Sequence, residues 1–194
     1  MRKFQALDRP EGHHTQYEVA NYVDVLSYIL KRHSIDGIDL YFFNSSESVK
    51  NSRHSTKLAT SVRKHRFSGA SSPKNGLVQI LTDYNKAFQA YSSAIREYPP
   101  NRKYSILPLT RPRLPKCPPP LSVYILTDGA WELGEVDALE GVIRSLAEDL
   151  RSSGSSKRPI GIQFIRFGNH PDGIEQLEVL GRVSRSATAA DSHK

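Results

Sequence analysis

Asp128 is the residue whose setting most invites chemistry. It follows the apolar run Leu121–Leu126 and Thr127, and Gly129 comes next (LSVYILTDGAW). A carboxylate at the mouth of a buried strand is costly unless a turn, a cation or a partner uses it. A second carboxylate, Asp8, follows the short run Phe4–Leu7. Two such groups around a hard divalent cation could in principle activate water. His13 and His14, beside Asp8 and Glu11, look like metal ligands. Neighbouring histidines on a loop point different ways, however, and no second ligand pair follows at fixed spacing. Cys117 lies among prolines with no His or Asp beside it, so a thiol nucleophile lacks a local base. The chain has no G-x-x-x-x-G-K-[ST], no G-x-G-x-x-G after a strand and no G-x-S-x-G. These absences argue against P-loop hydrolysis, dinucleotide binding and serine hydrolysis. The expectation is a binding module and not an enzyme.

The elements that must position Asp8 and Asp128 can be read from periodicity. Phe4–Leu7 is a short first strand. Val19, Tyr22, Val23, Leu26, Ile29 and Leu30 share one face of a helix over 17–32, with Thr15 as N-cap and Glu18 completing a capping box. Asp36-Gly37 turns the chain into a strand at Ile38–Phe43, dense in β-formers. Residues 45–56 are polar and carry no structural signal, and 58–64 form a short helix. After the turn-rich FSGASSPKNG, a second amphipathic helix carries Leu77, Ile80, Leu81, Tyr84, Phe88 and Tyr91. Val123–Leu126 reads as a strand buried on both faces. A third helix shows Val136, Leu139, Ile143, Leu146 and Leu150, and IGIQFIRFG is another strand. Residues 174–180 make a last short helix. This alternation predicts an α/β domain with a mostly parallel sheet. In such sheets the loops at the carboxyl ends of the strands hold ligands, and Asp8, Asn44, Asp128 and Gly168 fall there.

Composition narrows the setting. A chain of 194 residues suits one domain. We read 1–183 as that domain and 184–194 as a disordered tail. Residues 98–120 are proline-rich and basic, with P-x-x-P spacing at Pro112–Pro115 and Pro115–Pro118, which suits a polyproline surface loop. The net charge is +7. Its basic clusters, such as Arg63–Arg66 and Lys157-Arg158, are scattered over loops and helix ends without interleaved aromatics. That pattern points to solvated charge and away from a nucleic-acid groove. One cysteine excludes an intrachain disulfide and fits a reducing, intracellular, cytoplasmic setting. No apolar run suits a signal peptide or the roughly 20 residues of a membrane helix. A protein partner is expected, and no small-molecule substrate.

VYILTDGAWE, then a helix, then IGIQFIRFGNHPDGIEQL resembles the von Willebrand factor type A fold. The nearer likeness is to intracellular fungal proteins of that type, through IDGIDLYFFN and EVANYVDVLSYIL. The resemblance covers most of 4–180. It implies a doubly wound, mostly parallel sheet and a metal-ion-dependent adhesion site at its top. That site begins with D-x-S-x-S after the first strand. Asp8 can stand for its aspartate, but Pro10 and Gly12 occupy the serine positions. Ser71 or Ser72 would replace its threonine, and Asp128 matches its later aspartate. The implication is a remnant metal site of Asp8, Ser71 or Ser72, and Asp128, holding Mg²⁺ weakly with water in the gaps. Asp128 and Thr127 also have a structural reading, as a turn and helix cap. A sixth strand, which the resemblance implies after Leu180, is absent from GRVSRSATAADSHK.

Overall fold

A computed structural model describes residues 2–5, 12–34, 36–67, 72–97, 115–132, 134–152 and 160–189. The elements run β1 (Arg2–Gln5), α1 (Gly12–Leu30), β2 (Ile38–Tyr41), β3 (Ser48–Ser52), α2 (Ser55–Lys64), α3 (Pro73–Glu97), β4 (Leu121–Thr127), α4 (Glu135–Ser152), β5 (Ile160–Arg166) and α5 (Pro171–Ala189). They build one five-stranded sheet in the order β3-β2-β1-β4-β5. Every pairing is parallel except that of β3 with β2. The α/β class and the mostly parallel sheet expected from the sequence are therefore present.

Strand alternation divides the core. Leu121, Val123 and Ile125 of β4 point to one face, where they meet Leu77, Ile80 and Leu81 of α3, Leu139 and Leu146 of α4, and Leu180 of α5. Leu126 and Tyr124 point to the other, with Ile38 and Leu40 of β2, Val19 and Val23 of α1, and Leu58 and Val62 of α2. Helices thus cover both faces, and each fully buried Leu or Ile contributes roughly 1.5–3 kcal/mol relative to exposure.

Several elements differ from the sequence expectation. Helix α1 begins at Gly12, so His13 and His14 sit in its first turn and not on a loop, and Thr15 is inside the helix and not its cap. Gln16 extends Nε2 to the carbonyls of Val62, Arg63 and His65 at 2.8, 3.1 and 3.0 Å, closing the end of α2. The segment read as structureless contains β3. It hid because four of its five side chains are not buried and the strand lies at the sheet edge. Its pairing is held by Asp39, fully buried in β2, whose Oδ1 accepts the Asn51 N–H at 2.7 Å. The other oxygen accepts the Tyr41 hydroxyl at 3.4 Å, and Lys50 Nζ donates to that hydroxyl. Burial of the ring, then the Asp39 carboxylate, push the Tyr41 hydroxyl above the ordinary phenol range. Helix α5 runs from Pro171 through Ala189, well beyond the 174–180 expected for it. No strand follows β5 among the described residues.

Replacing Asp39 should cost more than its single side chain suggests, since the Asn51 N–H would lose its acceptor and the buried site would be left unfilled. Asp39→Ala is expected to lower stability by about 1–3 kcal/mol in urea unfolding. The exposed Asp36→Ala should stay within about 0.5 kcal/mol of the parent.

Candidate functional site at the carboxyl edge of the sheet

The chain winds outward from β1 to β2 and β3 on one side and from β4 to β5 on the other. The order reverses between β1 and β4, and such a reversal opens a crevice outside the carboxyl ends of those strands. Asp128 follows the last residue of β4, at that crevice.

The turn around Asp128 is organised by its own side chains. Buried Thr127 accepts the Gly129 N–H on Oγ1 at 2.9 Å and the Trp131 indole N–H at 3.0 Å. Asp128 Oδ1 accepts the Ala130 N–H at 3.1 Å, closing an Asx turn. Gly129 has φ +78, in the left-handed region that favours glycine. Trp131 lies buried under the loop, edge-on to Phe164 with centroids 6.0 Å apart. That decides between the two placements its sequence position allowed, a packed residue or a rim anchor.

The turn is also fastened to α5. Gln176 Oε1 accepts the Trp131 N–H at 3.2 Å, and its Nε2 donates to the Trp131 carbonyl at 3.3 Å. A Cβ on Gly173 would lie 2.0 Å from the Asp128 carbonyl oxygen, so only glycine permits this approach.

Ser72 caps α3. Its Oγ accepts the Asn75 N–H at 3.3 Å ahead of Pro73, which suits the first helical position. Its hydroxyl donates to the Glu135 carboxylate at 3.2 Å, and Glu135 also accepts the Lys74 N–H at 3.3 Å. Glu135 opens α4, so one carboxylate joins the starts of two helices, where the positive helix ends favour it. The structure therefore brings Ser72 to Glu135, a residue the sequence reading missed. Asp8 and Ser71 lie outside the described residues.

A second polar cluster lies past the end of β2. His65, read from sequence as part of a solvated charge run, is buried. Its Nδ1 is 3.0 Å from Glu47 Oε2 and its Nε2 2.8 Å from Asn44 Oδ1. Its ring stacks on Phe42 at 3.8 Å. Both ring nitrogens are engaged, so the cluster ties the turn after β2 to the end of α2.

As metal ligands, Ser72 and Asp128 fit poorly. The Ser72 hydroxyl directs its proton at Glu135 and takes an N–H on its lone pair, while one Asp128 oxygen caps a turn. Among the described residues, no group of three or more His, Cys, Asp and Glu is placed to hold a metal. A cavity of about 760 Å³ opens at the opposite, amino-terminal edge, between Tyr41 and Lys50 on one side and Asp83 and Tyr84 on the other. No helix among the described residues is long and apolar enough to cross a membrane.

Gly173→Ala should drive a methyl into the Asp128 carbonyl and destabilise the chain by about 1–3 kcal/mol. Gly141→Ala, in α4 with open space around it, should instead stabilise by about 0.4–1 kcal/mol. Chemical denaturation of the two variants measures both.

Comparison with protein-family models, with curated proteins and with solved structures gave no match.

Proposed function

We propose that the chain is a non-enzymatic, protein-binding domain of the von Willebrand factor A-like type, with its ligand surface at the carboxyl edge of the sheet around Asp128. The observation that carries this reading is the reversal of strand order between β1 and β4, with Asp128 directly after β4. Asp128, Glu132 and Glu135 give that edge an acidic character within a basic chain, so a partner with basic side chains would complement it. Because the Ser72 hydroxyl and one Asp128 oxygen are engaged in a cap and a turn, recognition is assigned to the protein surface and not routed through Mg²⁺.

A second reading places the contact on the proline-rich segment. It is favoured by residues 115–120, which have neither strand nor helix structure and are exposed apart from the half-buried Pro118. Such a stretch could dock in an aromatic groove.

Cross-linking capture with two variants separates these readings. Glu132→Lys combined with Asp128→Asn, which keeps a turn acceptor, should abolish capture of a partner, while replacing 98–120 with a Gly/Ser linker of equal length should leave it intact. The reverse pattern would move the function to the loop. In calorimetry, Mg²⁺ should give no saturable heat. A saturable heat that Asp128→Ala removes would establish the metal-dependent version instead.

A further inference from the structure

The basic side chains that look scattered along the sequence converge in the fold. Residues 48–67 hold six lysines and arginines and no Asp or Glu, in a chain of net charge +7. All six are exposed. Helix α2 sorts its own: Leu58, Ala59 and Val62 are buried, so Lys57, Thr60 and Lys64, spaced three and four apart, share the outer face. Arg63 reaches across to Asn21 of α1 at 3.0 Å. Gln16, near the start of α1, bonds the carbonyls at the end of α2. The two helices therefore run antiparallel, and the end of α1 lies beside the start of α2.

Two shallow depressions mark this layer. His54, Thr56, Lys57, Thr60, Ser61 and Lys64 line one of about 490 Å³. Lys31, Arg32, Ser34 and Arg53 line the other, of about 340 Å³. Arg53 and His54 are consecutive, so the two adjoin. The Tyr28 ring supports the cations of the second, with Lys31 Nζ 4.2 Å and the Arg32 guanidinium 5.7 Å from its centre. Among the described residues, neither lining includes an acidic or apolar side chain, nor a Phe, Tyr or Trp. Asp36 shares the amino-terminal cavity with Arg53 and lines neither depression. Cations and hydroxyls in this arrangement suit phosphate oxygens.

We propose that this face binds the phosphate backbone of a nucleic-acid duplex without reading its sequence. From His54 to Lys64 the basic ridge runs about 15 Å at 1.5 Å per residue. A duplex presents a phosphate charge about every 1.7 Å of its axis, roughly nine over that length. Those phosphates stand in fixed rows, so the ordering cost of a flexible acidic peptide does not arise. A bilayer surface calls for apolar side chains that enter it, and unpaired bases call for aromatic faces. The two linings supply neither. The face shares no residue with the carboxyl edge around Asp128.

The probes are two DNA duplexes of about 20 base pairs with unrelated sequences, followed by fluorescence anisotropy over a range of salt. Both should bind alike, with Kd of roughly 1–100 μM at about 0.15 M salt. Lys57→Ala with Lys64→Ala should weaken both duplexes by about tenfold and flatten the slope of log K against log salt by about 2. Lys74→Ala with Lys86→Ala, exposed on α3, removes the same charge from the other face of the sheet and should leave Kd within about twofold. Circular dichroism of both variants should match the parent. No binding, a marked preference for one sequence, or equal losses in the two variants would overturn the proposal, the last because net charge alone would then account for the affinity. So would phosphatidylserine vesicles whose binding needs Lys57 and Lys64 when that of the duplexes does not.

Discussion

Everything in this domain hangs on β4 being buried on both faces. A strand in that position needs apolar side chains in both directions and hydrogen-bonded neighbours on both edges, because an unmet backbone group there has no water to turn to. Leu121, Val123 and Ile125 serve one core, Tyr124 and Leu126 serve the other, and β1 and β5 supply the ladders. The remaining architecture answers those demands. Helices α3, α4 and α5 close one face, α1 and α2 the other, and strand order reverses beside β4. The residue that leaves this strand must therefore emerge at the crevice, and that residue is Asp128.

The turn that follows is rigid for a local reason and a distant one. Locally, Thr127 and Asp128 satisfy three N–H groups within four residues. At a distance, Gly173 lets the backbone of α5 approach the Asp128 carbonyl, and Gln176 clamps Trp131 from both sides. A carboxylate held this way has a fixed position without a cation to order it. That is the physical basis for reading the edge as a recognition surface.

The parts of this arrangement that show in the sequence are those written in local periodicity. The apolar faces of α3 and α4 and the unbroken run of β4 announce themselves, and Thr127-Asp128-Gly129 carries its turn chemistry openly. Strand β3 does not, because its stability comes from the buried Asp39 reaching Asn51 and not from alternation of its own side chains. The link of Ser72 to Glu135 spans 63 residues and depends on how α3 and α4 are packed. Ser72 before Pro73 did hold a readable cap signal. Gly173 had none, since a glycine in the first turn of a helix reads as neutral until a neighbouring backbone is seen to press on it. His65 misled for the opposite reason: a run of Arg, Lys and His looks solvated, and only packing on Phe42 draws the imidazole inside.

The Asp128 turn is ordered by the chain itself. Amide hydrogen exchange at Gly129, Ala130 and Trp131 tests it most directly, measured in chelator and again with Mg²⁺. These amides donate to Thr127 Oγ1, Asp128 Oδ1 and Gln176 Oε1 respectively. They should be protected in chelator, with no change when Mg²⁺ is added. Rapid exchange in chelator that slows only with Mg²⁺ would show instead that a cation orders the turn.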